Sequence, residues 1–494
     1  MTPVRLPVIL SLAVLLTGCV GLPTVFQQRV VKPHVAGSVG VPLPGPSRSP
    51  SLSARLTLEQ CIEIARTNNP GLAAGSWDVR TAQAQRDTAA SQCRPRITTR
   101  NSYRSFVQNQ RLQPARINAE PGMFSSSVLS MDLVLNMPLF TGGRITNEIR
   151  GADLLALAAQ NRLARSWEEI VFNITSSFYS ILGQRKLLGS LRFSRDVLTR
   201  HRRRVMDMFT ADKAARVDVL RTEVRIADID QRIIREQTVL DIQRRVLATL
   251  LGASTGNESA DIQGELRVRR SLPSVDGALA MAFSERSDYR AARASLDAQG
   301  TKVVVARAAQ WPTVSVEGSY GVRVAAGIDD NGVAITRRLN WPNFPTIPVE
   351  RAPLRGPWPN PDSNLPVGSI GVVLDYPIFD GGRISSQIRE QEAKLLSAQQ
   401  LLRKLELQIR LEVETALLNG SSALQRVTAT QKAIEQARES LRIERTRYDL
   451  GKGTITDVLD AQSAALEAET NYYHALVDYN LAFAQLGLAV GEKR

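Results

Sequence analysis

Residues able to do chemistry are few and far apart in this sequence. Asp457 and Asp460 stand three positions apart in the stretch GKGTITDVLDA, a spacing that puts both carboxylates on one face of a helix. Gathered from several chains, such carboxylates would repel one another, attract cations and raise some of their own pKa values. On one chain alone they are equally what a solvated helix carries. His34, His201 and His474 are the three histidines; none sits at ligand spacing from another donor or beside a candidate nucleophile, and no paired carboxylates fall in a predicted cleft. An enzyme is disfavoured, and no metal or dissociable cofactor is called for.

The N-terminus offers a different chemistry. Arg5 precedes an apolar run from Leu6 to Leu16 that is too short to span a bilayer and leads into Leu16-Thr17-Gly18-Cys19. A charged start, an apolar stretch and small residues before a cut site describe an export signal. Leu-Thr-Gly-Cys also resembles the bacterial lipobox, so the expectation is cleavage after residue 18 and a diacylglycerol and N-acyl chain on Cys19. Val20 follows it, not the Asp that resembles an inner-membrane retention signal, which suggests the outer membrane. Cys61 and Cys93 remain. If one helix joins them, a rise of about 1.5 Å per residue holds them roughly 48 Å apart, beyond the reach of a disulfide.

Bulk composition chooses little. The 494 residues are 43% hydrophobic and 5% aromatic, with 62 Lys and Arg against 48 Asp and Glu for a net charge of +14. An excess of that size could signal nucleic acid, but the charges alternate in sign along helical stretches and no basic run is interleaved with aromatic residues for stacking. The densest basic run, 200–204, reads as an exposed stretch of helix, and nucleic acid is not expected as a partner.

What organises the chain is an internal duplication. Over 133–150 against 372–389, more than half the positions are identical at an offset of 239, including Pro138 with Pro377 and Gly142-Gly143 with Gly381-Gly382. The same offset carries Asp218-Val219-Leu220 onto Asp457-Val458-Leu459 and Gly252 onto Gly491. Upstream the offset is 217, which brings Pro95 to Pro312, Tyr103 to Tyr320 and Leu58 to Val275. The second repeat therefore holds a longer insertion between its Tyr and its Pro-x-Phe. The resulting division is an export signal at 1–18, a lipid-anchored tether at 19–55, a first repeat at 56–255, a linker at 256–273 and a second repeat at 274–494.

Within each repeat the apolar period changes in one order. Residues 57–94 and 274–311 carry no internal breaker cluster and end at a Pro, so each reads as one helix. Alternating, β-branched stretches follow. They lie just after Pro95 and Pro312, then at 125–137 and 367–376, and make two hairpins; the second encloses a long Pro- and Trp-rich loop around Trp341 and Trp358. After each Gly-Gly the chain stays helical for some 65 residues, about 98 Å at 1.5 Å per residue. Breaks at 209–216 and 449–453 turn each long helix into a returning one, whose apolar positions (Leu459, Leu466, Tyr473; Leu476, Phe483, Val490) recur every seven residues, as in a coiled coil.

The repeated Pro-x-Phe-x-Gly-Gly-Arg-Ile then reads as a strand-to-helix joint built twice. Pro138 and Pro377 are expected to end the strand ladder, Gly142, Gly143, Gly381 and Gly382 to give freedom for a change of direction, and Thr141 and Asp380 to cap the helices. Four strands can cross a bilayer obliquely but are too few to close, and open edges in lipid cost several kcal/mol per unsatisfied group. Strands of several chains must combine, and three chains would give twelve.

Duplicated helix, hairpin, joint and long helical hairpin together resemble the TolC-like outer-membrane efflux channel family, over about 56–494. The lipobox makes the chain similar to the lipoprotein branch that serves resistance-nodulation-division pumps. The resemblance implies a mainly α chain with β: a homotrimer in which four strands per chain form a twelve-stranded transmembrane β-barrel and long coiled-coil helices form a periplasmic α-barrel. It also implies partnership with a periplasmic adaptor and an inner-membrane pump, and passive export of small molecules such as drugs. By the same resemblance Asp457 and Asp460 correspond to acidic rings at the periplasmic gate, and Tyr448 and Asp218 to a network that latches the closed tip. Gly453 stands where the family often has an Arg, and Arg221 replaces an acidic residue, so Lys452 is a candidate substitute in the latch. Type I protein secretion and metal efflux are the competing channel readings. A non-pore coiled-coil lipoprotein is the competing reading of another class; it leaves four amphipathic strands without a purpose.

Overall fold

The computed structural model describes residues 55–112, 124–212, 215–253, 261–268, 272–325 and 366–492. The export signal, Cys19 and its tether, the loop holding Trp341 and Trp358, and parts of the linker 256–273 lie outside the described residues.

Helix α1 (Leu58–Asn68) starts in a capping box: Gln60 N donates to Thr57 Oγ1 at 3.3 Å and Thr57 N to Gln60 Oε1 at 2.9 Å. Contrary to the single helix expected over 57–94, a second one, α2 (Pro70–Ser91), begins immediately after. Asn69 caps it by accepting from Gly71 N and Leu72 N at 2.8 and 3.2 Å, and Pro70 sits at the first helical position, where its missing N–H leaves nothing unsatisfied. The second repeat breaks likewise into α5 (Val275–Glu285) and α6 (Ser287–Ala308), at Arg286. Cys61 is thus buried in α1 and Cys93 exposed past the end of α2, both as free thiols. Burial, then the charge of Glu59, pushes the Cys61 thiol up to about 12.

Between these helices and the long ones lie β1 (Arg96–Arg111), β2 (Phe124–Phe140), β3 (Thr313–Ala325) and β4 (Pro366–Asp375), an antiparallel sheet in the order β1-β2-β3-β4. Arg96 faces Asn136 in the first hairpin, Asn136 faces Glu317 between the repeats, and Thr313 faces Asp375 in the second. Pro377 lies past the end of β4, but Pro138 does not end its ladder. It lies inside β2 opposite Ser315, where the register shifts before Phe140, and at such an irregularity a missing N–H is tolerated.

Helices α3 (Arg144–Thr210) and α7 (Arg383–Asp449) leave the sheet for 67 residues each, and α4 (Arg216–Leu250) and α8 (Ile455–Val490) return. About midway along the long helices each repeat builds the same core. Cys61, Ala65, Ile174, Leu247 and Leu251 in the first cluster correspond at the two offsets to Ala278, Ala282, Val413, Leu486 and Val490 in the second. Both returning helices end on a left-handed glycine, Gly252 and Gly491 at φ +73° and +74°, that lies against the break between the short helices. A Cβ on Gly252 would sit 2.3 Å from the Asn68 carbonyl oxygen, and one on Gly491 2.9 Å from Arg286 backbone. Only glycine fits a positive φ and so close an approach together.

Candidate functional site

Side chains alternate across a sheet, and the register sorts these strands into two unlike faces. One face carries Ile97, Tyr103, Leu129, Met131, Leu133, Leu135, Tyr320, Val322, Ile370, Val372 and Leu374. These are not a core: Ile97, Val372 and Leu374 are 68%, 67% and 64% exposed. The opposite face carries Arg96, Arg100, Arg104, Ser130, Asp132, Asn136, Glu317, Ser319, Arg323 and Ser369. Its polar groups find one another across strands, Ser102 with Ser130 at 2.8 Å, Ser319 with Ser369 at 3.1 Å, and Asn136 Nδ2 donating to Glu317 Oε1 at 3.2 Å. A sheet apolar on one side and charged on the other separates hydrocarbon from water. Among the described residues no helix is long and apolar enough to cross a membrane.

At the joints, Gly142, Gly143, Gly381 and Gly382 all have positive φ, from +61° to +84°. The capping oxygens come from two residues before the last glycine. Asp380 accepts from Gly382 N at 2.9 Å and from Ile384 N at 2.6 Å; Thr141 Oγ1 accepts from Ile145 N at 3.4 Å. Those backbone donors, Ile384 first, hold the Asp380 carboxyl below its usual range. A depressed folded pKa means stability that is present above the unfolded carboxylate value and lost as pH falls through the folded one. Asp380→Ala should therefore lower the melting temperature at neutral pH, and the gap to wild type should close in acid. A gap that is unchanged at pH 3 or absent at pH 7 would show that the cap does not hold the joint.

At the far end, the tip, Val205, Val219, Tyr448, Ile455, Val458 and Leu459 form one buried cluster drawn from both helical hairpins. Asp457 closes a capping box at the start of α8: its carboxylate accepts from Thr454 N at 3.0 Å and Thr454 Oγ1 at 2.8 Å. These hydrogen bonds, the backbone one first, lower its pKa. Asp460 is 66% exposed and stands 3.5 Å from Arg225. Asp218 accepts from Ala215 N at 3.3 Å. Tyr448 is buried, and burial, then the carboxylates of Asp218 and Asp449, raises its pKa. Lys452 is exposed and makes no ion pair among the described residues. Gly453 lies where a Cβ would approach Arg447 Cβ and Tyr448 N at 3.3 Å.

The polar contacts that tie the hairpins together at the tip come from arginines of the first repeat. Arg204 pairs with Asp449 at 2.9 Å, Arg221 Nη1 donates to Thr456 Oγ1 at 3.2 Å, and Arg225 reaches Asp460. His201 packs its ring 5.5 Å from that of Tyr448 and is buried, so the basic run 200–204 is not a uniformly exposed stretch. Its helical spacing carries the signal: positions 201 and 205 face the partner hairpin while 200, 202 and 203 face solvent.

The sequence profile described as outer membrane efflux protein matches residues 61–253 and 360–492. The chain is 20% identical to outer membrane protein TolC of Escherichia coli (strain K12) over 458 residues, 92% of this chain and 85% of that protein. It is 23% identical to the cobalt-zinc-cadmium resistance protein CzcC of Cupriavidus metallidurans over 424 residues, 85% of this chain and 86% of that one. Among solved structures, the outer membrane protein VceC of Vibrio cholerae has the same fold, with a TM-score of 0.70 at 18% identity over 88% of this chain and 96% of that one.

Proposed function

Because the chain belongs to the outer membrane efflux protein family, we propose that three copies close their sheets into a twelve-stranded barrel and their helical hairpins into a periplasmic tunnel. The chain is a passive outer-membrane channel and not an enzyme. The observation that carries the trimeric reading is the two-faced sheet with open edges at β1 and β4. In hydrocarbon those edges would leave rows of unpaired N–H and C=O groups, each worth several kcal/mol, and one protomer has no further strand among its described residues to cover them.

At the tip, Asp457 and Asp460 of three copies would put six carboxylates around one axis, and acidic rings favour cations in pores. Asp460, the more weakly engaged of the two, carries most of that field, because Asp457 is spent on its capping box. Opening separates the hairpins and breaks the links from Arg204, Arg221 and Arg225. A periplasmic adaptor docking on the seam of α3, α7 and α8, where Phe193 is 62% exposed, would supply the work, and an inner-membrane pump would supply the cargo. Acyl chains on Cys19 would add a second hold on the outer membrane. Small organic molecules are the favoured cargo; the similarity to a cobalt-zinc-cadmium resistance protein brings metal ions as the second reading.

Light scattering in mild detergent tests the assembly: three chains per particle supports it, and a stable monomer removes the barrel. In planar bilayers, Asp460→Asn should weaken cation selectivity more than Asp457→Asn, and the double variant should raise conductance severalfold. Unchanged conductance in the double variant would remove both residues from the gate.

A further inference from the structure

The repeats match in their pairings as well as in their residues. Arg96 faces Asn136 in the first hairpin; shifted by 217 and 239 that pair becomes Thr313 and Asp375, which face each other in the second. One junction, β2 on β3 and α3 on α6, joins the first repeat to the second within the chain. Its counterpart, β4 on β1 and α7 on α2, is not made inside one protomer, and three observations mark the bare face. Helix α2 buries no residue, whereas α6, of the same 22 residues, buries seven. A Cβ on Gly142 would meet Trp311 Cβ at 2.7 Å and the Ala308 carbonyl at 2.8 Å, whereas one on the equivalent Gly381 would meet open space. Beside Gly381, Ile378 and Phe379 are 91% and 90% exposed.

We infer that a second copy of the chain covers this face by repeating the β2–β3 register, so that β4 pairs antiparallel with the partner's β1 and an ion pair between Asp375 and the partner's Arg100 locks the seam. The register follows from the offsets. Asn136 faces Glu317; 136 plus 239 is 375, and 317 minus 217 is 100. The same rule sets Val373 opposite the partner's Ser102, Val372 opposite the partner's Tyr103 and Gly371 opposite the partner's Arg104. Inside the chain the Asn136 amide donates to the Glu317 carboxylate at 3.2 Å. At the seam a carboxylate replaces the amide and a guanidinium replaces the carboxylate, so the contact becomes a charge pair. Neither Asp375 nor Arg100 makes an ion pair among the described residues, so both are free to form it. Face parity agrees: Asp375 and Arg100 both lie on the polar side, and a slip of one residue would set Asp375 on the side of Ile97 and Tyr103, toward lipid.

This inference rests on the trimeric barrel and adds its register. The test uses the full chain with the exposed native thiol removed by Cys93→Ser. Two cysteine pairs, Val373→Cys with Ser102→Cys and Val372→Cys with Tyr103→Cys, sample both kinds of antiparallel pair. Mild oxidation in outer membranes should give covalent dimers and trimers on denaturing gels. Their yield should be on the order of tenfold above that of Val373→Cys with Arg104→Cys, which is displaced by two residues and too far apart to bridge. Asp375→Arg and Arg100→Asp should each lower the temperature at which the detergent-resistant trimer separates, and the two together should restore it. Cross-linking that peaks at the displaced pair, or a double reversal no better than either single one, overturns the inference while a wild-type trimer keeps the channel standing. A wild-type monomer overturns both.

Discussion

Leu133→Arg should abolish assembly in the outer membrane, whereas Val134→Arg, one residue along, should leave a trimer with altered ion selectivity. Leu133 stands on the apolar face between Thr99 and Tyr320, in the middle of the part of β2 that is paired on both sides; Val134 stands on the polar face between Thr98 and Ser319. An Arg facing hydrocarbon near the midplane costs about 2–4 kcal/mol, and three copies bring the total to roughly 6–12 kcal/mol, the size of a whole domain's stability. The same side chain facing a water-filled lumen only adds charge beside Arg96 and Arg100, its diagonal neighbours on β1. Gels of unheated outer membranes measure the trimer, and reversal potentials in bilayers measure the selectivity. Equal loss from both substitutions would sink the assignment of faces, and equal tolerance would remove the lipid.

That a neighbouring pair can be assigned to opposite sides follows from a strand period visible in the bare sequence. Strands, long helices, turns and their order were legible because each is written twice, and a pattern that recurs at a fixed offset carries its own control. The break between α1 and α2 was not, although Pro70 is in plain view. A Pro after an Asn starts a helix as readily as it ends one, and what bends the chain here is tertiary, since Asn69 Nδ2 donates to the Leu250 carbonyl at 2.8 Å from a position 181 residues away. Pro138 misled in the other direction: it marks an irregularity inside β2, and no local signal separates a bulge from an end.

The tip was legible as a motif and not as a set of contacts. GKGTITDVLDA placed the turn, which is local; the capping box of Thr454 and Asp457 lies in the same stretch and came to light only in the structure. The arginines that join the hairpins are distant in sequence from their partners, Arg204 from Asp449 by 245 residues and Arg221 from Thr456 by 235, and their charge alone matched that of any solvated helix. Lys452, nearer to the turn, carries the same charge but makes no ion pair within the chain among the described residues. Its backbone N–H donates to the Arg447 carbonyl at 2.8 Å, while its side chain stays in solvent.

Arg286→Met should be among the most costly single changes in the helical half, about 3–5 kcal/mol per protomer, as for a buried ion network that loses one member. Arg286 occupies the break between α5 and α6 and is 1% exposed. Its guanidinium donates to Asp288 at 3.0 and 2.7 Å, to Glu412 at 2.7 Å and to the Ala489 carbonyl at 3.1 Å, so one side chain joins the short helices, α7 and the last turn of α8. Burial pushes the Asp288 carboxyl up, but hydrogen bonds and charge from Arg286, with Arg165 adding, outweigh it and hold the group below its usual range. Removing Arg286 leaves two carboxylates facing each other's side of an emptied pocket. The deficit should be full above the ordinary carboxylate range and should narrow as pH falls through it, because protonation relieves the variant while it weakens the wild type. The counterpart position in the first repeat makes the comparison internal. Asn69 fills the same break and reaches the same carbonyl of its own returning helix with a neutral amide, so Asn69→Ala should cost only about 2 kcal/mol, the worth of a cap and a hydrogen bond. Denaturant titration of the helical signal in detergent measures both. If the two substitutions cost the same, or the Arg286→Met deficit ignores pH, then geometry at the break rather than buried charge holds the second repeat together.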